Sequence, residues 1–389
     1  CKARGIDYIF DPGQSLPMWN AEDLVQAIEG CRILIVNDYE LDLIMSKTGL
    51  RKADLLGLAG TIITTLGEHG SQVSSRDGDI GIIGATGKMG PSLARRVKRA
   101  SDEAGSQRRV VAVARRFDPT AARDLTGAGI ELVECDCLDR GAVDRLPPLA
   151  NVLYLIGRKF GTAGRTDLTW AVNTLAAAHV AARFRESRLV VFSSGNLYGM
   201  VPVSSGGSRE RDEPAPTGDY AQSCLGRERV VEYFSRERGT RCLLFRLNYA
   251  VDLRYGVLVD VGRRVFAGEP IDLRVGYANV IWQGDANSYA FRSLELAESP
   301  ARILNVTGPE TIRVRDLAEW FGRRFGRAPR FEGCESEAAL LSDASACHAA
   351  LGAPEVGLEM AREWAAAWIE SGGPSLGKPT RYEVADGRY

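Results

Sequence analysis

The residues of this 389-residue chain whose spacing first suggests chemistry are three glycines, in Gly84-Ala85-Thr86-Gly87-Lys88-Met89-Gly90. They follow the strand-like run Asp79-Ile80-Gly81-Ile82-Ile83 and precede Ser92-Leu93-Ala94-Arg95-Arg96-Val97, which has the spacing of an amphipathic helix. Glycine at these steps permits a tight turn, close approach of a pyrophosphate and close helix–strand packing, while amides at the helix N-terminus face the phosphates. This setting, rather than the glycines alone, assigns Gly84, Thr86, Gly87, Lys88, Met89 and Gly90 to a dinucleotide. The next apolar run, Val110-Val111-Ala112-Val113-Ala114, ends in Arg115-Arg116, where an NAD-selective site carries an acidic residue on the ribose hydroxyls. Guanidinium groups there suit a 2′-phosphate, so NADP is the expected cofactor and NAD the alternative; the competing reading is a pair of ordinary surface arginines. The third run, Glu131-Leu132-Val133-Glu134, exits into Cys135-Asp136-Cys137, which is expected to bring Asp136, with Cys137, towards the adenine.

These residues need a scaffold, and short β-rich runs alternating with helical patterns supply one: an α/β fold, a parallel sheet covered by helices on both faces. With 45% hydrophobic and 25% charged residues the chain can bury a large core, and its length suggests two or three domains. Its 49 basic and 50 acidic residues leave a net charge of -1, which provides no global field for nucleic acid or an anionic membrane. Apolar runs too short to span a bilayer and the absence of a signal-peptide pattern in the first 30 residues point to the cytoplasm. The eight cysteines include no Cys-x-x-Cys pair and there are three histidines, so no disulfide scaffold or metal site is expected. The chain begins with Cys1 rather than Met, as a fragment or processed product would. The polar stretch Gly70 to Gly78 divides two βα series, giving an N-terminal unit of residues 1–72, a linker at 73–78 and a larger unit at 79–389.

From about Asp79 onward the chain resembles the extended short-chain dehydrogenase/reductase family, the NAD-dependent epimerase/dehydratase group. Beyond the glycine loop, the resemblance rests on Asn151 to Gly157 as fourth strand, Asn173 in the following helix, and Val190-Val191-Phe192-Ser193-Ser194-Gly195-Asn196-Leu197-Tyr198-Gly199. It continues through Asp212-Glu213-Pro214 leading to Tyr220, and Leu304-Asn305-Val306-Thr307-Gly308 near the end. It implies a Rossmann-type doubly wound sheet with a smaller C-terminal substrate lobe from about residue 249, and cofactor contacts at Ile156, Gly157 and Asn173. It also implies a sugar or nucleotide-sugar-like hydroxyl or ketone as substrate, and a homodimer through the helices carrying Asn173 and Tyr220. Tyr220 matches the tyrosine that exchanges a proton while hydride moves at the nicotinamide, and Ser194 the residue that orients the substrate oxygen.

The chain departs from the family at one place. The family's lysine four residues after the tyrosine lowers the phenol pKa and holds the nicotinamide ribose; here that position is Cys224. Lys159, just past the fourth strand, is a candidate substitute cation, set evenly against a solvated or phosphate-facing role. Arg227, two helical turns beyond Tyr220, is the weaker candidate and reads better as such a bystander. Gly195-Asn196 stand where nucleotide-sugar 4,6-dehydratases carry acidic residues, which argues against dehydration. On the substrate side Asn248, Arg254, Tyr255 and Arg274 are candidates for a sugar or diphosphate, each equally readable as a surface residue.

Residues 1–72 resemble part of a ribokinase-like (PfkB) carbohydrate kinase, through Asp11-Pro12-Gly13, Asn37-Asp38-Tyr39-Glu40 and Thr65-Leu66-Gly67-Glu68-His69-Gly70. The Asn-x-x-Glu pair suits Mg²⁺ and phosphate in that family; locally it is equally a helix cap with a first-turn carboxylate. No Gly-Ala-Gly-Asp segment follows, so phosphotransfer is not expected. Two functions compete: an NAD(P)-dependent reductase or epimerase, and a dinucleotide-binding regulator or scaffold that lost turnover with the lysine.

Overall fold

The computed structural model describes residues 2, 6–75, 78–104, 106, 108–161, 164–378, 380–384, 386 and 387. The N-terminal unit is a four-stranded sheet in the order β1 (Ile9–Phe10), β2 (Ile33–Asn37), β3 (Thr61–Thr65), β4 (Ser71–Ser75), with β1 to β3 parallel and β4 antiparallel. Helices α1 (Ala21–Ile28), α2 (Asp38–Thr48) and α3 (Lys52–Ala59) join with it in a core of Leu24, Ile28, Leu34, Val36, Ile44, Leu55 and Ile62. The stretch expected to be a linker is therefore partly strand: Gly67 and Gly70, at φ +58° and +81°, turn the backbone so that Ser71–Ser75 returns along β3. Arg76 and Asp77 of that stretch, and Cys1, lie outside the described residues.

The larger unit is built on seven parallel strands. Their order across the sheet is β7 (Glu131–Glu134), β6 (Val110–Ala114), β5 (Ile80–Ile83), β8 (Asn151–Tyr154), β9 (Arg188–Ser194), then the strands Arg241–Leu247 and Arg302–Val306. The order reverses at β5, the topological switch point where α/β sheets open a crevice at their carboxyl ends. Strands β5, β6 and β8 are buried at every residue, which is why, Asn151 at the start of β8 apart, they read as apolar runs.

Helix α4 (Gly90–Glu103) packs on one face, where Leu93 and Val97 meet Ile80, Ile82 and Val110. On the other face, helices Ala176–Arg183 and Gly218–Arg238 bring Val180 and Val231 onto Val111, Val152 and Val191. The substrate lobe has its own core, in which Val257, Val261 and Val265 of the helix Val257–Ala267 meet Val314, Phe321 and Ala365. Among the described residues, no helix is long and apolar enough to cross a membrane, and no three His, Cys, Asp or Glu side chains are grouped to hold a metal ion.

Candidate functional site

The carboxyl ends of β5, β8 and β9 and of the strand Arg241–Leu247 surround a cavity of about 250 Å³. Its wall includes Gly84, Gly87, Lys88, Met89 and Gly90 from the glycine loop, Lys159 from beyond β8, and Ser194 from the end of β9. Tyr220 comes from the helix Gly218–Arg238, and Tyr249, Tyr255 and Thr380 from the substrate side.

The glycine loop has the shape its sequence requires. Gly84 has φ +96°, and a Cβ there would stand 3.0 Å from the amide nitrogen of Ile156; one on Gly90 would stand 2.5 Å from the carbonyl of Ala85. Side chains at these positions would spread the turn and push α4 off the sheet, so the loop is a cradle only glycine can line. Met89 is buried against α4, Thr86 is exposed, and Ile156 and Gly157 lie directly beyond β8. Lys88 turns inward, donating to the Ala250 carbonyl at 2.6 Å with its ammonium 4.1 Å from the centre of the Tyr255 ring. Burial pulls its pKa down to about 7, with Asp252 and Asp260 opposing and Arg254 and Lys159 adding to the fall. Tyr255 is pushed up to about 12 by the same burial.

Arg115 and Arg116 are exposed at the carboxyl end of β6, as the expected phosphate contacts must be. Asp136 is exposed beyond β7 and accepts from the Leu138 amide at 3.0 Å. Cys137 is buried with its carbonyl 3.0 Å from His179 Nδ1, and its thiol is pushed up by desolvation.

At the reacting end, Ser194 ends β9, its Oγ 3.0 Å from Asn196 Oδ1 and accepting the Asn196 amide at 3.2 Å. The Tyr220 hydroxyl is hydrogen-bonded to both Ser194 and Cys224. Burial holds the phenol well above its ordinary value and Cys224 adds to the shift, while the Ser194 bond and the charge of Arg227 pull the other way. Lys159 stands with its ammonium 5.9 Å from the Tyr220 ring centre and 6.0 Å from that of Tyr249, and burial pulls it down to about 8.

Arg227 overturns the expectation of a solvated or phosphate-facing cation. It is 4% exposed and donates to the carbonyls of Asn173 at 2.9 Å and Phe192 at 2.7 Å and to Asn173 Oδ1 at 3.1 Å. Its charge acts on both Tyr220 and Cys224, lowering the pKa of each against the effect of burial. Asn173, expected to touch the cofactor, is fully buried and also occupied by Ser223 Oγ and by the Arg158 backbone on both sides. It braces the helix carrying Tyr220 rather than lining the cavity.

Three substrate candidates also lie off the cavity wall. Asn248 is buried and spent on Asn279 Oδ1 at 2.7 Å and the Leu340 carbonyl at 3.2 Å. Arg254 pairs with Asp252 at 3.4 Å and Arg274 with Asp272 at 2.6 Å, both on the outer surface. In each case a carboxylate two residues back in the chain captures the guanidinium, a local pairing that composition does not reveal. Sequence reasoning missed Tyr249 and Thr380. Tyr249 follows directly on the strand Arg241–Leu247 and Asn248, so the rule placing ligands beyond strand carboxyl ends could have found it; nothing near Thr380 signals a site.

Seven parallel strands with a glycine cradle at the switch point, and a Ser–Tyr pair across from it, define a Rossmann-type fold. The model of the NAD dependent epimerase/dehydratase family matches residues 80–251 of the chain. Similar solved structures include the Thermus thermophilus UDP-glucose 4-epimerase in complex with NAD, at 18% identity, covering 75% of this chain and 99% of that one, with a TM-score of 0.60. The Bordetella bronchiseptica enzyme WbmG in complex with NAD and UDP gives 17%, 77%, 97% and 0.63, and the Bacillus cereus UDP-N-acetylglucosamine 4-epimerase 18%, 75%, 99% and 0.59. Among curated proteins, a nucleoside kinase from Methanothermobacter thermautotrophicus is 39% identical over 72 residues, which is 18% of this chain. The chain spans 22% of that kinase's length.

In the N-terminal unit Asn37 and Glu40 form a reciprocal helix cap: Asn37 Oδ1 accepts the Glu40 amide at 2.7 Å and Glu40 Oε2 the Asn37 amide at 2.8 Å. The local reading of that spacing is the one the side chains adopt.

Proposed function

We propose that the chain binds NAD(P) along the glycine loop and reduces, or epimerises, a ketone or hydroxyl of a sugar or nucleotide-sugar-like substrate. The observation that carries this reading is the convergence of the glycine cradle, Ser194, Tyr220 and Lys159 on one cavity. The cradle fits a dinucleotide because two of its glycines leave no room for a Cβ. When bound, the nicotinamide supplies or takes up the hydride. Ser194 orients the substrate oxygen, and Tyr220 donates its proton to that oxygen as negative charge develops there.

A phenol held above its ordinary value of ~10 is protonated at neutral pH, which suits proton donation, and therefore the reductive direction, better than proton removal. Lys159 and Arg227 place positive charge on either side of the pair and stabilise the developing anion. Arg115 and Arg116 hold the 2′-phosphate of NADP in this reading. The relatives solved with NAD and UDP support the substrate class.

The competing reading, a dinucleotide-binding regulator without turnover, is favoured by Cys224 in the lysine's place. Titration with NADPH and NADH, read by nucleotide fluorescence, tests the first step: NADPH binds more tightly, and Arg115→Ala with Arg116→Ala abolishes that preference. Failure of both nucleotides to bind would overturn both readings. Binding without reduction of any carbonyl or sugar-nucleotide substrate would leave the regulator.

A further inference from the structure

After the helix Leu358–Glu370 the described residues 371–378, 380–384, 386 and 387 run back across the substrate lobe as a strap. Its anchors are spread along its length. Trp368 Nε1 donates to the Pro374 carbonyl at 3.0 Å, and the Leu376 amide to the Arg254 carbonyl at 3.0 Å. Tyr382 is 2% exposed within the lobe's core, and Glu383 pairs with Arg264 at 3.3 Å. The end of the strap reaches the start of the helix carrying Tyr220: a Cβ on Gly218 would stand 2.6 Å from the Gly387 carbonyl oxygen.

Thr380 sits where the strap crosses the cavity. Its amide and its hydroxyl both donate to Asp260 Oδ2, at 2.8 and 2.6 Å, which ties it to the substrate lobe. Its carbonyl accepts from Lys159 Nζ at 3.3 Å, which ties it to the loop beyond β8. Thr380 is 2% exposed and is part of the cavity wall. The strap thus joins the two halves of the cleft at the ammonium that faces Tyr220.

We propose that Thr380, clamped by Asp260, is a positioning residue that seats the Lys159 ammonium beside Tyr220, so that the far end of the chain helps supply the charge which Cys224 cannot. The proposal rests on Tyr220 as the proton donor. A lysine side chain gives up much rotamer freedom when fixed, so a cation on a flexible stem needs an acceptor on its far side to stay in place. The groups facing that ammonium are Cys224 and Tyr220 from the helix Gly218–Arg238, Tyr249 beyond the strand Arg241–Leu247, Glu383 and Arg381 from the strap, and Lys88 from the glycine loop.

The test uses the full chain with Asp260→Ala, Thr380→Val and Thr380→Ser. Competitive acetylation of Lys159 by acetic anhydride across pH, read by mass spectrometry, needs no turnover. In the wild type the midpoint lies near 8. In Asp260→Ala and Thr380→Val it moves up by at least one pH unit towards the ordinary lysine value of ~10.4, because the ammonium becomes mobile and hydrated, and Thr380→Ser restores it. In Thr380→Val NADPH affinity stays within twofold, while kcat falls about tenfold with little change in KM. If Asp260→Ala fails to fold, Thr380→Val, close in volume, decides. An unchanged midpoint in a folded Thr380→Val would overturn the proposal. A shifted midpoint in a protein that turns nothing over would uphold the clamp and sink the enzymatic reading instead.

Discussion

Restoring the family's lysine, by Cys224→Lys, looks like a repair when judged by the family pattern, and the structure predicts the opposite. Cys224 is 1% exposed, in contact with Tyr220, and within the field of Arg227 below it and Lys159 beside it. Lysine adds three heavy atoms at a buried site, an overpacking that costs about 1–3 kcal/mol. Its charge would stand about one helical turn from Arg227, and two like charges ~6 Å apart at an effective dielectric of ~20 repel by about 3 kcal/mol. Arg227 cannot withdraw, because its guanidinium is held by Asn173 Oδ1 and the carbonyls of Asn173 and Phe192. The new amine is therefore expected to sit neutral, or to unseat the helix, and in neither state does it help Tyr220. A destabilisation of about 4 kcal/mol should lower Tm by roughly 6 °C in a unit of this size, with no gain in turnover. Thermal melts of Cys224→Lys, alone and combined with Arg227→Met, measure it together with NADPH-dependent reduction. A Cys224→Lys protein as stable as the wild type and faster in turnover would refute the argument that Arg227 already fills the cation's place.

Two further consequences can be measured independently. The Arg246–Glu228 pair, at 2.6 Å with side chains 2% and 0% exposed, is a buried ion pair beneath Tyr198, so Arg246→Leu should cost about 3–5 kcal/mol in urea unfolding; pairing it with Glu228→Leu should recover much of that loss, and a double variant as unstable as the single one would contradict it. For Lys88, pulled down to about 7, a pyrophosphate placed beside it raises its pKa, so dinucleotide binding takes up a proton and affinity falls as pH rises above about 7; Lys88→Met should bind more weakly at pH 6 and lose that dependence, and an unaltered pH slope in calorimetric titrations would remove Lys88 from the cofactor site.

What the sequence made legible followed from local rules. Strands β5, β6 and β8 are buried on both faces and so are apolar but for Asn151, whose side chain is hydrogen-bonded, and the cradle could be recognised because Gly84 and Gly90 meet backbone that tolerates no side chain. Ser194 and Tyr220 were legible through a family pattern, and the hydrogen bond between them agrees with it. Arg227 and the substrate arginines were misread for a common reason: whether a guanidinium is free depends on which acceptors the fold brings to it, and for Arg227 these lie 54 and 35 residues away.

The lost lysine shows the same principle at the level of the site. A family motif assigns the cation to one helix, four residues from the tyrosine, whereas the requirement itself is only for positive charge within a few ångströms of the phenol. In the reading proposed above, that requirement is met by two cations from separate stretches of chain, Arg227 two turns along the same helix and Lys159 beyond β8, with Thr380 near the C-terminus holding Lys159 in place. Contacts spanning 221 residues, as between Lys159 and Thr380, leave no local pattern, and only the folded chain brings them together.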